Sequence, residues 1–217
     1  MQFSLDKEKL PTYVASQLNL FFPDGGLVLD GISRALPEVL AKIEASFKHI
    51  KSRYYRKNDD VFLNHLNTDH YASFLYLLSN TIYHQGNEVV AEKLFALNKA
   101  LHGFDAFYAI ELPEVFLLVH PVGTVLGNAS YSNKLVVYQN VTIGSDINGV
   151  YPKFGCGVVL YSGVTVIGNV NTGDNVVFGA NSFTKGKDIS GSSVVVGQYP
   201  QEIIKNGSPE VFSHYFA

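Results

Sequence analysis

From Phe154 to Gln201 the hydrophobic positions of the chain recur every six residues. This segment divides into consecutive hexads, and glycine stands at the second or third position of most of them, where a tight corner needs a residue without a Cβ. The first positions of the hexads are Phe154, Leu160, Val166, Thr172, Phe178, Thr184, Ser190 and Val196, and the fifth positions are Val158, Val164, Val170, Val176, Ser182, Asp188 and Val194. A period of six predicts a parallel β-helix with three flat sides per turn, whose first and fifth positions fill the interior. A β-sandwich is the alternative for a tract rich in Val and Gly, but its turns fall every 8 to 12 residues.

Before the hexads the hydrophobic spacing is helical. A first amphipathic helix is predicted from Leu36 to Ile50, a second from about 61 to 83, and a third from 88 to 101, closed by Gly103. Residues 1 to about 34 show no clear pattern. The predicted fold class is therefore α + β-helix: a helical N-terminal domain at 1–105, a β-helix at 106–204 and a C-terminal tail at 205–217. Helices placed there would cover the open first coil of the stack.

The register is imperfect between the helices and the regular hexads. Leu126-Gly127 and Ile143-Gly144 have the sequence of equivalent corners, yet they are 17 residues apart where three hexads need 18. We expect the missing residue in the turn-rich segment 130–135. Residues 144–153 then interrupt the repeat with Asp, Asn, Gly and Pro, which predicts a loop that projects from one side of the stack and contributes to a binding face.

Charge and composition exclude several classes of function. The net charge of −3 gives no electrostatic reason to expect nucleic acid or a membrane surface, and the basic cluster KSRYYRKNDD is interpreted as a solvated helix end. The single cysteine, Cys156, is incompatible with a disulfide scaffold or a thiolate zinc site. The start of the chain is charged, and its longest apolar run, Val115 to Val119, is too short to span a membrane. A cytoplasmic protein is expected.

Two motifs give the chain a family resemblance. VHPVGTVLG (119–127) can be aligned with the DHATGIVIG-like motif of serine acetyltransferases, and YQNVTIG (138–144) with their LQSVTLG. The closing VVVGQYPQEII and, weakly, TIYHQG between two predicted helices are also similar to that family. The chain thus resembles the hexapeptide-repeat acyltransferases of serine acetyltransferase type. The resemblance implies a left-handed β-helix, acetyl-CoA as co-substrate, no metal, and a homotrimer or a pair of trimers.

The resemblance also implies a general base. His120 falls on the catalytic histidine of the family, and a neutral imidazole there would take the proton of an acceptor hydroxyl as it attacks the thioester. A backbone N–H at Gly144-Ser145 is the candidate for stabilising the oxyanion. The carboxylate that orients the histidine is Asp105 by offset or Glu111 by motif, and we favour Glu111 because it would lie inside the β-helix. A purely structural histidine before a proline is the alternative for His120.

The expected acceptor follows from two positions at which this chain differs from the family that it resembles. Where the family has an acidic residue and a second histidine around its substrate, this chain has Val119 and Tyr151. A zwitterion needs paired charges, so a sugar hydroxyl, as in capsule or lipopolysaccharide decoration, is the favoured acceptor over L-serine. Amino-sugar N-acetylation and a non-catalytic scaffold stay open. A β-helix carbonic anhydrase is excluded, because its zinc needs three histidines and His120 is the single histidine in the predicted β-helix.

Substrate contacts are predicted at three places. Tyr151 and Asn148 in the inserted loop and Asp69 in the NTDH segment are the candidates for the acceptor, although a helix cap at Asn67 or Thr68 explains NTDH equally well. Family positions imply that the CoA arm runs along the coils. The residues expected to bind it are Tyr161, Ser162, Gly179, Ala180 and Lys185, together with the Gly144-Ser145 corner.

Overall fold

The computed structural model describes residues 1–207 and 209–217. Its first half is helical, as predicted. The α-helices of the described residues are α1 (Leu10–Phe21), α2 (Leu29–Phe47), α3 (Thr68–His84) and α4 (Glu88–His102). A small sheet packs with them, in the order β1-β3-β2, from β1 (Gln2–Phe3), β2 (Arg56–Lys57) and β3 (Asp60–Leu63). Short 3-10 helices lie at Lys7–Lys9, Arg53–Tyr55 and Val211–His214.

The second half is a parallel β-helix with three sides. Its first sheet contains β5 (Phe116–Leu118), β7 (Leu135–Val137), β9 (Val159–Leu160), β11 (Val177–Phe178) and β13 (Ser193–Val196), with β14 (Ile203–Asn206) added antiparallel at the end. Its second sheet contains β4 (Asp105–Ala106), β6 (Val125–Leu126), β8 (Thr142–Gly144), β10 (Thr165–Ile167) and β12 (Phe183–Lys185). Single bridges such as Ser130 to Lys153 and Lys153 to Asn171 form the third side. The predicted fold class is confirmed.

The hexad pattern holds through most of the stack and slips in the last coil. Leu160, Val166, Phe178 and other predicted inward positions are fully buried. Ser190 is exposed, however, and Val195 rather than Val196 occupies the interior, because Ile189 pairs with Thr172 and lies only 17 residues after it. In the last two hexads the inward positions thus lie one residue earlier than the six-residue period predicts, at Ile189 and Val195. The corner between Thr184 and Ile189 is one residue shorter than its counterpart in the coil before.

The missing residue of the first coil lies just before the predicted segment. Leu126 pairs with Ile143 and Ser130 pairs with Lys153, which pairs with Asn171. Ser130 comes four residues after Leu126, whereas in the regular coils Asn171 comes five residues after Val166. The deletion is thus in the corner 127–129 and not in 130–135.

Helix boundaries agree with the sequence in one case and differ in two. The third predicted helix is α4, and Gly103 ends it in the left-handed conformation with φ 61°. The second prediction began too early: residues 60–63 are a strand between β1 and β2, and α3 starts at Thr68 after the cap residue Asn67. The first helix starts earlier than predicted, at Leu29, and α1 was not predicted at all.

The helices lie against the first coil of the β-helix. The Tyr76 hydroxyl of α3 donates to the carbonyl of Ile110 at 2.6 Å and accepts the N–H of Leu112 at 2.9 Å. The Ser46 hydroxyl of α2 donates to the carbonyl of Phe116 in β5. The open end of the stack is therefore covered by polar as well as apolar contacts.

The last described residues return to the helical domain. The backbone N–H of Lys51 donates to Tyr215 at 2.8 Å, and that of Ala217 donates to His49 at 2.7 Å. The Phe216 side chain enters the core of the helices, and the Tyr215 hydroxyl is 2.9 Å from that of Tyr138 on the β-helix. This segment thus connects the two halves of the structure. Across the described residues, helices of the length and hydropathy needed to cross a membrane are absent.

Candidate active site

His120 lies on a corner of the first coil that is longer than the corner beneath it. Leu118 pairs with Val137 and Val125 pairs with Thr142, so six residues form this corner while four form the next one. The two additional residues let the chain extend outward from the stack. His120 itself has a φ of 49°, in the left-handed region that residues with a Cβ rarely adopt.

Asp69, from the first turn of α3, contacts this corner. Its Oδ1 accepts the backbone N–H of His120 at 3.0 Å and lies 3.8 Å from the imidazole Nδ1. The Asp69 side chain is only 16 % exposed, whereas the His120 side chain is 74 % exposed. The helical domain therefore supplies a nearly buried carboxylate to a solvent-facing histidine on the β-helix.

The surroundings of Asp69 are apolar enough to alter titration. Burial raises the pKa of Asp69, while the charge and the N–H of His120 and a hydrogen bond from the Thr68 side chain act in the opposite direction. Beneath it, burial raises the pKa of Tyr55, and the charge of Asp69 adds to that effect. Burial also lowers the pKa of His70 to about 4, and its Nδ1 accepts the N–H of Asn64. His70 is therefore a neutral structural residue.

A cavity of about 420 Å³ opens between the helical domain and this corner. The residues that line it are Tyr54, Leu66, Asn67, Thr68, Asp69 and His120. Asn67 is occupied as the helix cap, since its Oδ1 accepts the N–H groups of Asp69 and His70. At the edge of the cavity, Nη2 of Arg53 is 3.3 Å from the Tyr54 hydroxyl, and the Arg53 guanidinium lies over the Tyr54 ring.

Neither of the two carboxylates expected to orient His120 contacts it. Oδ2 of Asp105 lies 2.5 Å from Nζ of Lys99, and Asp105 runs beside Val125 in the second sheet. Glu111, the favoured candidate, lies 2.7 Å from Nε2 of His84 at the far end of α3. Asp69 and His84 are separated by about 22 Å along the helix at 1.5 Å per residue. Glu111 is thus remote from His120.

Tyr151 lies in a second groove, of about 420 Å³, with Asp105 and Phe107. Its ring covers Gly127: a Cβ on that glycine would be 2.7 Å from Cε1 of Tyr151 and 2.6 Å from the carbonyl of Ile143. Asn148 is at the exposed tip of the inserted loop, where its N–H donates to Asp146. Within one chain, the predicted acceptor residues are therefore divided between two cavities.

The predicted CoA-binding residues are divided in the same way. Ser162 and the pair Gly179-Ala180 occupy the same corner of the stack as His120, in lower coils. Tyr161 is also on that corner, but its hydroxyl is 3.3 Å from that of Tyr215. Lys185 and Gly144 are at the other end of the strands of the second sheet, as the last residues of β12 and β8, and Ser145 follows Gly144.

The sequence did not identify Arg53 and Tyr54 as site residues. They belong to the basic cluster KSRYYRKNDD, for which the sequence favours a solvated helix end, and the alternation of Arg, Tyr and Lys is the signal in the sequence that points to them. No group of three or more potential metal ligands is present in residues 1–207 and 209–217.

Known proteins resemble this chain in sequence. Serine acetyltransferase 2 of Arabidopsis thaliana is 29% identical over 140 residues, which are 63% of this chain and 43% of that protein. Serine acetyltransferase of Staphylococcus aureus is 26% identical over 145 residues, 65% of this chain and 67% of that protein. The chain thus spans under half of one curated relative and about two thirds of the other. No family model matches it.

Solved structures decide the fold. Serine acetyltransferase from Brucella abortus covers 94% of this chain with a TM-score of 0.71 at 20% identity, and 84% of that chain is matched. The Neisseria gonorrhoeae serine acetyltransferase gives the same coverage and TM-score at 21% identity. This chain has the serine acetyltransferase fold. The resemblance stated from the sequence motifs is therefore confirmed, and it includes the helical half of the chain as well as the β-helix.

Proposed function

We propose that this chain is an acetyl-CoA-dependent O-acetyltransferase whose acceptor is L-serine. The observation that carries the proposal is the agreement between His120, on an extended corner beside a cavity, and a sequence likeness to curated serine acetyltransferases over 140 to 145 residues. One of the solved neighbours is described as a serine acetyltransferase in complex with CoA and another as complexed with serine, which supports this choice of substrates.

The chemistry requires a base, and His120 is placed to be one. An alcohol is a weak nucleophile at neutral pH, so its proton moves to the imidazole as the oxygen bonds to the thioester carbonyl. When the C–S bond breaks, the same proton passes to the departing thiolate. A general base of this kind contributes about 10² to 10⁴ in rate. Backbone N–H groups at Gly144-Ser145 remain the proposed oxyanion donors.

Charges around the cavity favour serine over a neutral acceptor. Serine carries an ammonium and a carboxylate, and both need a partner of opposite charge. Asp69 provides a negative charge in the wall of the cavity, and Arg53 provides a positive charge at its edge beside Tyr54. A guanidinium binds a carboxylate well because its N–H groups match the two oxygens. We propose that Arg53 takes the serine carboxylate and that the charge of Asp69 favours the ammonium from a distance, in place of the charged family residues that Val119 and Tyr151 replace.

A sugar hydroxyl is the second candidate acceptor. It is favoured by Val119 and Tyr151 at the two family positions, and by the groove that contains Tyr151, where a sugar ring could stack on the phenol ring. Asn148 and Tyr151 stay the proposed acceptor contacts for either substrate, and Asp69, which was predicted with them, is assigned to the neighbourhood of His120 instead. Ser162, Gly179, Ala180, Tyr161 and Lys185 stay the proposed contacts of acetyl-CoA.

Thiol release from acetyl-CoA tests the proposal. Purified protein is offered L-serine in one series and sugars, amino sugars and nucleotide sugars in another, with His120→Gln and His214→Gln in parallel. His214 is an exposed histidine on the returning segment and serves as the matched control. We expect turnover with L-serine that is lost only in His120→Gln. Turnover with sugars alone selects the second candidate, and no binding of acetyl-CoA supports a non-catalytic scaffold.

The assembly and location are part of the proposal. A homotrimer, alone or paired through the helical domain, is supported by apolar side chains exposed along the second sheet and its corners, including Phe107, Val122 and Val125. Light scattering on the purified chain measures this state, and a monomer would contradict it. A cytoplasmic location is likewise proposed.

A further inference from the structure

His120 has an unusual backbone conformation that needs support from outside its own coil. A φ of 49° is costly for a residue with a Cβ, by about 1 to 2 kcal/mol. The corner that contains His120 also has two residues more than the corner beneath it. The stacking that orders the other corners therefore cannot fix this one completely.

The helical domain provides that support through one side chain. Oδ1 of Asp69 accepts the His120 N–H at 3.0 Å, and the same oxygen is 3.8 Å from Nδ1 of the ring. Asp69 is itself held in the first turn of α3, where its N–H donates to Asn67 and its carbonyl accepts the Ser73 hydroxyl at 2.8 Å. The carboxylate is therefore fixed on a rigid element and directed at both the backbone and the ring of His120.

The other candidate carboxylates are engaged elsewhere. Asp105 is paired with Lys99, and Glu111 is paired with His84 at the opposite end of α3. The Asp69 carboxylate already accepts the His120 N–H, with the same oxygen near the ring of His120, which leaves it less able to bind a substrate ammonium directly. These contacts suit a group that acts through His120 better than one that acts on the acceptor.

We propose that Asp69, and not Asp105 or Glu111, is the positioning residue of His120. It holds the corner through the backbone N–H and keeps the proton of the neutral ring on Nδ1, so that Nε2 presents its lone pair to the acceptor hydroxyl. When Nε2 takes the hydroxyl proton, the nearby carboxylate stabilises the imidazolium until the thiolate removes that proton. The inference rests on the proposed function for its catalytic part only.

The tautomer of His120 tests positioning without any turnover. Nitrogen-15 shifts of the neutral ring report which nitrogen carries the proton, and the signal is assigned by its loss in His120→Gln. We expect mainly Nδ1–H in the wild type and a shift toward Nε2–H in Asp69→Asn, in which an amide N–H can face Nδ1, and in Asp69→Ala. Asp105→Asn and Glu111→Gln are matched controls and should leave the signal unchanged. A shift in either control, with none in the Asp69 variants, would overturn the proposal.

Steady-state kinetics separate positioning from substrate binding. For the acceptor that turns over, Asp69→Asn should lower kcat by about 10²-fold or more and change KM less than about threefold. If Asp69 only binds the ammonium of serine, KM rises instead, and an acceptor without the amine, such as glycerate, is unaffected. Circular dichroism confirms that each variant is folded. If the wild type is inactive but the tautomer still changes in the Asp69 variants, the proposed function is refuted and the positioning role of Asp69 is retained.

Discussion

The returning segment around Phe216 allows a quantitative test of how the two halves of the structure are held together. Phe216 is 2 % exposed and lies among core residues of the helical domain, while Tyr215 beside it bonds to Tyr138 on the β-helix. An aromatic side chain of this kind buries about 150 to 250 Å², and truncation to alanine in a core costs about 3 to 5 kcal/mol. Taking the lower end of this range, we expect Phe216→Ala to lower the free energy of unfolding by about 3 kcal/mol.

Thermal unfolding followed by circular dichroism measures this effect. For a chain of this size, about 3 kcal/mol corresponds to a midpoint roughly 6 to 12 °C lower. Phe21→Ala removes a phenylalanine that is 45 % exposed and should change stability by less than about 1 kcal/mol. Protein concentration is kept constant, since assembly raises the apparent stability.

Amide exchange locates the loss of stability in the Phe216 variant. The N–H of Lys51 donates to Tyr215 at 2.8 Å, so its protection should fall in Phe216→Ala and not in Phe21→Ala. Equal midpoints for wild type and Phe216→Ala, with unchanged protection at Lys51, would refute the reasoning that this segment joins the helices to the β-helix.

Two further predictions concern stability. Burial lowers the pKa values of His70 and His102 to about 4. The unfolded chain binds a proton at each of these histidines more readily than the folded chain does. Each histidine should therefore lower the free energy of unfolding by about 2 kcal/mol as the pH falls from 7 to 5. In urea titrations, His102→Asn should make the free energy of unfolding depend less on pH. Gly127→Ala places a Cβ against the Ile143 carbonyl and should lower the free energy of unfolding by about 1 to 3 kcal/mol. In Gly144→Ala the added Cβ would be 3.7 Å from its nearest neighbour, so the loss should be smaller. Equal midpoints for the two glycine variants would contradict the clash.

The β-helix could be predicted because its information is local and repeated. Leu160, Val166 and Phe178 are buried where the six-residue period places them. The period fails where a corner loses one residue, before Ser130 and before Ile189, because no side chain marks a deletion in corners such as Gly-Asn-Ala at 127–129 or Lys-Gly-Lys-Asp at 185–188. Such errors of one residue are corrected only by the pairing of strands between coils.

The helical domain was harder to predict for a different reason. Val61, Phe62 and Leu66 match helical spacing, but residues 60–63 pair with β1 and β2, and this pairing with distant residues overrides the local pattern. The same limit applies to the site. Asp69 and His120 are 51 residues apart, so the sequence could name both without showing that they meet.

Helix α3 explains how this long-range contact is made. Toward its C-terminal end, Asn80 donates to the carbonyl of Tyr108 at 3.0 Å and His84 meets Glu111, which ties the start of the first coil to the helix. At its N-terminal end, Asp69 holds the corner of His120. One rigid helix thus sets the positions of two parts of the same coil. The stack of hexads can order its lower corners by repetition. The second half of its first corner is bonded to the residues before it, where Gly123 donates to Gly103 and Asp105 donates to Thr124. The first half is contacted by α3 through Asp69, which also brings the carboxylate that we propose to position His120.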